Sequence, residues 1–247
     1  MIHFQREKHQ IIGCALHLME KDLLLDNQCW FGGGTAIVLK LGEYRDSLDI
    51  DFICSDPDGF RELRSAAVQR GLAAFFRDPV TQVRDFKTDQ YGVRSAFSYR
   101  DLVFKFEIIR EARIEVSGQY DPDLGVPTLS TVDMFATKLL ANADRCQDKS
   151  VAFRDAIDLG MLVKFNGSIP VDAIEKATQA YGGDVKRKLR WALEALADPQ
   201  VLRSAASTLQ MHQEVAEDAI RALSLGAIEA FPDIGIELPT SAGCKFV

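Results

Sequence analysis

The chain has 247 residues, of which 47% are hydrophobic and 26% are charged, as in an ordinary globular protein. Its formal net charge of -7 argues against a protein built only to hold nucleic acid, so any contact with RNA or DNA must be local. The N-terminus lacks an apolar signal core and no apolar run approaches the ~20 residues that span a bilayer, so we expect a soluble, cytoplasmic protein.

The cysteines and histidines give no sign of a disulfide framework or a zinc site. The five cysteines are scattered and include no C-x-x-C pair, which fits a reducing cytosol. The four histidines show no metal-ligand spacing. We expect His9 and His17 to lie on the surface of an N-terminal helix.

The first half of the chain predicts a mixture of helices and strands. Apolar residues near the N-terminus recur with a period near 3.6, and the apolar run after them ends in three glycines. Thr35 follows the glycines, where it can cap a short helix. In chain order, the predicted elements are a helix over 5–25, a strand over 29–31, a helix over 35–41, a strand over 48–53, a turn over 56–59 and a helix over 60–76.

The rest of the chain predicts a strand meander followed by helices alone. A loop over 120–127 is the best candidate for a domain boundary, because no strand-like run follows it. The sequence therefore predicts an α+β domain over 1–125 and a helical domain over 126–247 that closes a cleft. The predicted strands lie at 80–87, 93–99 and 102–109, and the predicted helices at 131–147, 150–165, 170–181, 184–197 and 211–230.

Two aspartates on a predicted strand form the strongest chemical signal. Asp49 and Asp51 are two residues apart, so on a strand their side chains share one face, roughly 6.6 Å apart. Ile50 and Phe52 should then point into the core. Two carboxylates on a rigid element can hold a hard cation such as Mg²⁺ or Mn²⁺. Such a cation neutralises charge during phosphoryl or nucleotidyl transfer.

The glycine turn and a later strand complete this pattern. Glycine lets the backbone approach a triphosphate closely, and the helix that begins near Thr35 offers free N–H groups to phosphate. Glu107 can lie beside the aspartates as a metal ligand or general base. Lys105 shares its face, so a simple cross-strand ion pair is the competing interpretation. The glycines do not form a Walker A loop or a dinucleotide fingerprint, because their spacing is wrong for both.

These residues resemble a known family. The run Gly33-Gly34-Thr35-Ala36-Ile37, followed by Arg45 and by Ser47-Leu48-Asp49-Ile50-Asp51-Phe52, is similar to the motif of the AbiEii/AbiGii toxins. These toxins are nucleotidyltransferases of the polymerase-β superfamily. A second block resembles the same family: Asp133 to Leu140 with Lys138, then Arg145, then Arg154-Asp155-Ala156-Ile157-Asp158-Leu159.

The resemblance implies a polymerase-β-like mixed sheet with flanking helices, an NTP substrate and a divalent metal. Gly33, Gly34, Arg45, Ser47 and Arg145 are candidates for nucleotide contacts. The resemblance implies catalysis by Asp49 and Asp51, and triphosphate contacts from Thr35 and Lys138. It makes Asp155 or Asp158 a further functional acid, with Asp155 favoured. It also implies a bacterial toxin of an abortive-infection or toxin–antitoxin system with a cognate antitoxin, and a tRNA 3′ end as one acceptor. Glu107 stands where many members of the superfamily carry Asp.

Each of these residues also has a purely structural interpretation. Arg45 could be a solvated loop charge, and Ser47 could bond to nearby backbone. Lys138 and Arg145 share a helix face that could simply be solvated. Arg154 and Asp158, four residues apart, could form an ordinary helix salt bridge.

Questions about the ligand and about the function stay open at this stage. The basic cluster at 186–190 could be a solvated face or an RNA-phosphate patch. Two other functions also stay open: a non-catalytic nucleotide- or partner-binding relative, and a transferase that modifies a small molecule.

Overall fold

The computed structural model describes residues 4–78 and 80–237, and the chain divides into two units between Met134 and Phe135. The predicted boundary at residue 125 lies within a β-hairpin of the first unit. Among the described residues, no helix has both the length and the apolar character needed to cross a membrane.

The first unit contains a seven-stranded mixed sheet with the strand order β3-β4-β5-β2-β1-β7-β6. The pairs β1–β7 and β2–β5 are parallel, and the other neighbours are antiparallel. The strands are β1 (Cys29–Gly32), β2 (Ile50–Cys54), β3 (Thr81–Thr88), β4 (Gly92–Tyr99), β5 (Leu102–Arg110), β6 (Gly118–Asp121) and β7 (Val126–Leu129). The helices are α1 (Glu7–His17), α2 (Lys21–Asp26), α3 (Gly33–Lys40) and α4 (Pro57–Arg70), with a short 3₁₀ turn over Gly71–Ala74.

Aromatic residues on one face of the central strands form the core of this unit. Phe52 of β2 lies 5.5 Å from Phe31 of β1 and 6.2 Å from Phe106 of β5, measured between ring centroids. Ile50 and Phe52 are both fully buried, as predicted from the alternation. Asp51, which lies between them, therefore faces the other side of the sheet.

The second unit is helical, as predicted. Helix α5 (Thr131–Arg145) begins in the first unit and continues into the second. Gly160 lets two helices approach closely, because a Cβ there would lie 2.2 Å from the carbonyl oxygen of Ala219. The remaining helices are α6 (Arg154–Asn166), α7 (Val171–Tyr181), α8 (Asp184–Leu196), α9 (Pro199–Thr208) and α10 (Gln213–Ala230).

Several predicted elements differ from the structure. The predicted helix over 5–25 is two helices, because Met19 between them bridges to Phe76 as an isolated β-pair. The predicted helix over 60–76 begins earlier, at Pro57, since Asp56 caps it through the Gly59 N–H. That helix ends at Arg70, before a glycine with φ +60. The predicted loop over 120–127 is wrong, because β6 and β7 form an antiparallel hairpin there.

The prediction that His9 lies on a helix surface is also wrong. His9 is fully buried, and its Nδ1 lies 2.9 Å from Glu43 Oε1. Burial lowers the pKa of His9 below its ordinary value of 6.5, although the hydrogen bond and charge of Glu43 oppose this shift. The folded protein therefore holds a neutral imidazole at neutral pH.

This burial predicts a pH dependence of stability. As the pH falls below about 6.5, the unfolded chain takes up a proton at His9 before the folded protein does. The free energy of unfolding should therefore fall between pH 7 and pH 5, and it should fall less in His9→Asn. Urea unfolding at several pH values measures both slopes. If the free energy of unfolding depends on pH equally in the wild type and in His9→Asn, the pH dependence does not come from the burial of His9.

Candidate active site

The parallel pairing of β2 with β5 brings two carboxylates together. Asp51 lies directly opposite Glu107 in the register of these strands. Asp49 precedes β2, and its Oδ1 lies 3.8 Å from Lys105 Nζ. Asp49 and Glu107 keep 42% and 34% of their side-chain surface exposed, so both reach solvent. The structure thus places the predicted carboxylates together on the sheet face opposite the aromatic core.

Both interpretations of Glu107 have some structural support. Glu107 lies beside Asp51, as a third carboxylate of the site should. It also lies 3.9 Å from the guanidinium of Arg94, and Lys105 pairs with Asp49, as the ion-pair interpretation expects. A role for Glu107 in the chemistry stays a prediction.

The glycine bend directly faces Asp51. Gly32 pairs with Asp51 across β1 and β2, and the next residue, Gly33, has φ +68. A Cβ at position 33 would lie 2.7 Å from Asp51 Oδ2. Only glycine therefore satisfies both the backbone conformation and the close approach of the carboxylate.

Gly33→Ala should disable the site while leaving most of the fold intact. The left-handed conformation costs about 1–2 kcal/mol for alanine, and the added methyl group must also displace Asp51. We expect transfer activity to fall roughly a hundredfold, the scale of an ångström misplacement. Gly42→Ala is the matched control, because its φ of +82 imposes similar strain and its Cβ would meet nothing within 4 Å. Thermal unfolding and initial rates of the two variants separate strain from displacement, and equal losses of activity would contradict this role of Gly33.

The Thr35 hydroxyl forms a hydrogen bond with Ser47, another predicted site residue, and does not cap helix α3. Helix α3 begins at Gly33, with Gly34 in its first turn and Gly32 as its cap, so the predicted capping role of Thr35 is wrong. Thr35 is buried, and its hydroxyl lies 2.8 Å from the Ser47 hydroxyl. This bond ties the glycine bend to the segment that leads into Asp49.

Arg45 is buried in the same segment. Its Nη1 donates to the backbone oxygen of Asp46 at 2.9 Å, and its guanidinium lies 5.9 Å from the centre of the Tyr44 ring. Arg45 is thus not the solvated loop charge that was its alternative interpretation. Its position favours a role in shaping the loop before Asp49.

Two acidic residues that the sequence did not single out hold this loop in place. Glu43 accepts hydrogen bonds from the backbone N–H groups of Gln5 and Arg6. Burial opposes the charged form of Glu43, but these bonds and His9 outweigh it, so the pKa of Glu43 is lowered. Asp46 forms ion pairs with Arg6 and Lys8. No local pattern could have found these contacts, because the partners lie far apart in the sequence.

A separate charged cluster lies in the second unit. Lys138 Nζ lies 2.8 Å from Asp155 Oδ1 and 2.6 Å from Asp158 Oδ2, and all three side chains are buried. Arg145 Nε lies 2.6 Å from Asp155 Oδ2. Lys138 and Arg145 therefore do not form a simple solvated helix face. Their predicted contacts with the nucleotide stay predictions, as does a functional role of Asp155 or Asp158.

Charges of Lys138 and Arg145 control the ionisation of Asp155. Burial alone would raise the pKa of Asp155, but the Lys138 charge and the Arg145 hydrogen bond and charge outweigh it. They hold the pKa of this carboxyl well below its ordinary value of 3.8. The Asp155 carboxylate therefore stays ionised throughout the physiological range of pH.

The basic cluster of helix α8 is matched by nearby acidic or amide groups. Three of its cations pair with carboxylates: Lys186 with Asp233, Arg187 with Asp184 and Arg190 with Glu194. Lys188 instead donates to the side-chain oxygen of Gln147. This arrangement favours the interpretation of a solvated helix face.

A cavity of about 470 Å³ lies along β6, β7 and the start of α5 in the first unit. Leu129 lines it, and a Cβ on Gly32 would lie 2.6 Å from Leu129, so the cavity is close to the glycine bend. The ion pair of Lys40 with Asp121 lies at its wall. The cavity therefore has little net cationic character with which to attract a triphosphate.

The site has donors of the kind that a divalent metal requires, although they are not gathered into one cluster. Asp49 and Asp51 offer hard carboxylate oxygens two residues apart, and the Gly33 backbone packs closely against the Asp51 carboxylate. Over residues 4–78 and 80–237, no group of three His, Cys, Asp or Glu side chains is arranged to hold a metal ion. The aspartate pair therefore has the chemistry to hold a metal, and Glu107 lies beside Asp51 without completing a three-residue group among the described residues.

This mixed sheet, with carboxylates beside a glycine bend at the start of a helix, is the fold that the resemblance to nucleotidyltransferases predicts. Two solved structures from Helicobacter pylori are similar in fold. A proposed nucleotidyltransferase is 19% identical, with a TM-score of 0.50, and the match covers 93% of this chain and 97% of that one. JHP933 is 19% identical, with a TM-score of 0.49, and the match covers 92% and 95%. At this identity the likeness concerns the fold alone.

The family model described as nucleotidyl transferase AbiEii toxin, type IV toxin–antitoxin system, matches residues 17–234. The chain therefore belongs to the AbiEii family, and the resemblance found in its two sequence blocks is confirmed. No curated protein matches the chain.

Proposed function

We propose that this AbiEii nucleotidyltransferase uses Asp49 and Asp51, with a divalent metal, to transfer a nucleoside monophosphate from an NTP to an acceptor hydroxyl. The close approach of Gly33 to Asp51 carries this proposal, because a Cβ at position 33 would lie 2.7 Å from the carboxylate oxygen. This contact brings the N–H groups that begin α3 next to the Asp51 carboxylate, so phosphate oxygens held by those groups would lie beside a metal held by Asp51.

Asp49 and Asp51 would hold Mg²⁺ or Mn²⁺. Such a metal supplies charge neutralisation for the phosphate oxygens when it is bound. Asp49 Oδ1 lies 3.8 Å from Lys105 Nζ, and both side chains of this ion pair are exposed to solvent. Exposed pairs contribute little free energy, so Asp49 can exchange Lys105 for a metal at low cost.

The first turn of α3 would hold the triphosphate. Its free N–H groups and positive dipole end lie at the glycine bend, where they favour an anion. Thr35 and Ser47 hold the bend and the Asp49 segment together through their hydroxyl groups. Arg45 supports the same segment. The family match over their sequence block also supports nucleotide contacts from Lys138 and Arg145.

The transfer step is an in-line displacement at the α-phosphorus of the NTP. The acceptor oxygen forms a bond to this phosphorus while the bond from the α-phosphorus to the oxygen bridging the β-phosphate breaks, and pyrophosphate leaves. The proton of the acceptor hydroxyl passes to a carboxylate, for which Glu107 is the candidate because it lies beside Asp51.

The family places this activity in a type IV toxin–antitoxin system. We infer a bacterial toxin that an antitoxin counteracts, and an RNA acceptor such as the 3′ end of tRNA. An acceptor that the cell needs for growth would explain toxicity, since a blocked terminal hydroxyl cannot react again.

A labelling screen tests the proposal. The protein is incubated with each NTP, labelled at either the α- or the γ-phosphate, together with total RNA, protein or a metabolite extract. We expect label from the α-phosphate alone to enter an acceptor, and chelation of divalent metal to prevent it. Binding of Mg-NTP in calorimetry without transfer to any acceptor would support a non-catalytic relative instead. Label found only in metabolites would support a small-molecule transferase.

A further inference from the structure

The sheet face that carries the carboxylates continues into a row of cations. Asp51 pairs with Glu107, Glu107 with Arg94, and Arg94 with Lys87, across β2, β5, β4 and β3. Residues that are paired directly across neighbouring strands point to the same face of a sheet. One row therefore leads from the acidic site to two cations on β4 and β3.

A second row runs beside the first. Lys105, which contacts Asp49, pairs with Ala96, and Ala96 pairs with Arg84. Ala96 has only a small side chain, so this row presents cations on β5 and β3 without an acidic residue between them. Together the two rows form what we name the cationic sheet face, defined by Arg84, Lys87, Arg94 and Lys105.

This face is open to solvent. Lys105 and Arg94 have 67% and 39% of their side-chain surface exposed. Val103 and Ile109, which share the face of Lys105 on β5, are exposed although they are apolar. On the opposite face of the same strand, Phe104, Phe106 and Ile108 are fully buried. The exposed side of the sheet therefore offers aliphatic side-chain segments and exposed apolar residues as well as charges.

The length of the cationic sheet face indicates the kind of ligand. Neighbouring strands lie ~4.8 Å apart, so β4 and β3 are roughly 10 Å and 14 Å from β2. Cations spread over this distance fit a repeating chain of phosphates, rather than the single triphosphate at the glycine bend.

The existing ion pairs of this face are weak enough to exchange. Arg94 lies 3.0 Å from Asp89 and 3.9 Å from Glu107, and these pairs are all at the surface. Surface pairs contribute about 0–1 kcal/mol, whereas a phosphate accepts charge-assisted hydrogen bonds from a guanidinium. Helix α8 also has cations, but three of its four pair with carboxylates, and no carboxylates of an active site lie beside them on that helix.

We propose that the cationic sheet face binds the phosphodiester backbone of a single-stranded nucleic-acid acceptor, and directs its terminal hydroxyl to Asp49 and Asp51. This inference rests on the proposed function and assigns the surface that holds its nucleic-acid acceptor. The strand runs from the carboxylates over β5 and β4 to β3. Contacts of this kind position a strand without reading its sequence, so specificity must come from elsewhere.

Binding in the absence of NTP tests this surface separately from the chemistry. Fluorescence anisotropy measures the affinity of a labelled single-stranded RNA, and of the DNA of the same sequence, over a series of salt concentrations. The test variant is Arg84→Gln with Lys87→Gln, and Lys87→Gln alone is a milder second variant. The control is Arg203→Gln with Arg221→Gln, which removes two exposed charges from the helical unit.

The test variant should bind RNA roughly 25-fold more weakly at 0.1 M salt, because each phosphate contact contributes a factor of about 5 between 1 M and 0.1 M. The decrease of log affinity with log salt should become shallower by about 1.4 in the test variant. The slope should change by about half as much in Lys87→Gln. The control should match the wild type. A similar loss on DNA supports contacts with the phosphodiester backbone, whereas a loss on RNA alone would contradict them, because both strands carry the same phosphates.

Wild-type affinity and salt slope in the test variant would overturn the proposal even if transfer to RNA is observed. Competition by polyglutamate as effective as that by RNA would overturn it in favour of an acidic protein partner. Loss of binding in a protein that transfers no nucleotide would support the surface, and would count against the proposed function alone.

Discussion

Asp51→Asn and Asp49→Asn are each expected to reduce nucleotidyl transfer at least about a thousandfold, which corresponds to about 4 kcal/mol of transition-state stabilisation. Asparagine keeps the shape of aspartate but removes the negative charge that holds a divalent cation. The fold should tolerate both changes, because Asp49 is exposed and the buried neighbours of both residues, Ile50 and Phe52, are unchanged. The measurements are initial rates of label transfer and thermal unfolding of the same preparations.

The controls for this prediction separate charge from chemistry. Asp22→Asn removes one carboxylate from the exposed surface of α2 in the same unit, and it should leave the rate unchanged. Glu107→Gln divides the two interpretations of that residue. A loss as large as that of Asp51→Asn indicates a third ligand or base, whereas a small loss indicates the ion pair with Arg94. Full activity of both aspartate variants would remove this site from consideration.

The local sequence pattern is sufficient to predict the strands that carry the site. The alternation along 102–109 follows directly from a sheet with one aromatic face, and β5 occupies Leu102–Arg110. The same reasoning placed Ile50 and Phe52 in the core and left the aspartates outside it. Such predictions succeed because the side-chain period of a strand is fixed by its backbone.

The hairpin of β6 and β7 shows where local pattern fails. Its sequence combines turn residues with Pro127, which lacks an N–H group and usually argues against a strand inside a sheet. Parallel pairing with β1, through Phe31 and Thr128, nevertheless makes β7 an interior strand. Tertiary contact outweighed local preference here. Helix α9 lies outside the predicted helices, although Asp198 and Pro199 form a standard start signal for a helix.

Contacts between distant segments could not be obtained from the sequence at all. The bond of Thr35 to Ser47, and the attachment of Glu43 and Asp46 to the N-terminal segment, depend on how the chain returns to itself. The position of Glu107 beside Asp51 was a reasonable hypothesis, but only the parallel register of β2 and β5 establishes it. The site therefore depends on pairing that a one-dimensional pattern does not encode.

Lys138→Met is expected to destabilise the protein by about 3–5 kcal/mol, because it leaves the carboxylates of Asp155 and Asp158 buried without their central cation. The pKa of Asp155 is held well below 3.8, so in the wild type this contribution is present at neutral pH and is lost only as the pH falls below about 4. In the variant the same carboxyl loses its largest stabilising charge, and its pKa rises. The variant should therefore regain part of the difference at acidic pH, where the carboxyl can be protonated. Urea unfolding at pH 7 and pH 4 measures this.

Lys164→Met is the matched control, since Lys164 pairs with Asp218 at 2.9 Å on the exposed surface of the same unit. Its loss should be under about 1 kcal/mol and should show little dependence on pH. The same pair of variants bears on the predicted nucleotide contact of Lys138. If Lys138→Met is folded at the assay temperature but no longer binds NTP, Lys138 both stabilises the charged cluster and contacts the nucleotide. If it binds NTP normally while losing stability, the cluster is a structural feature of the helical unit, and the phosphate contact of Lys138 is wrong.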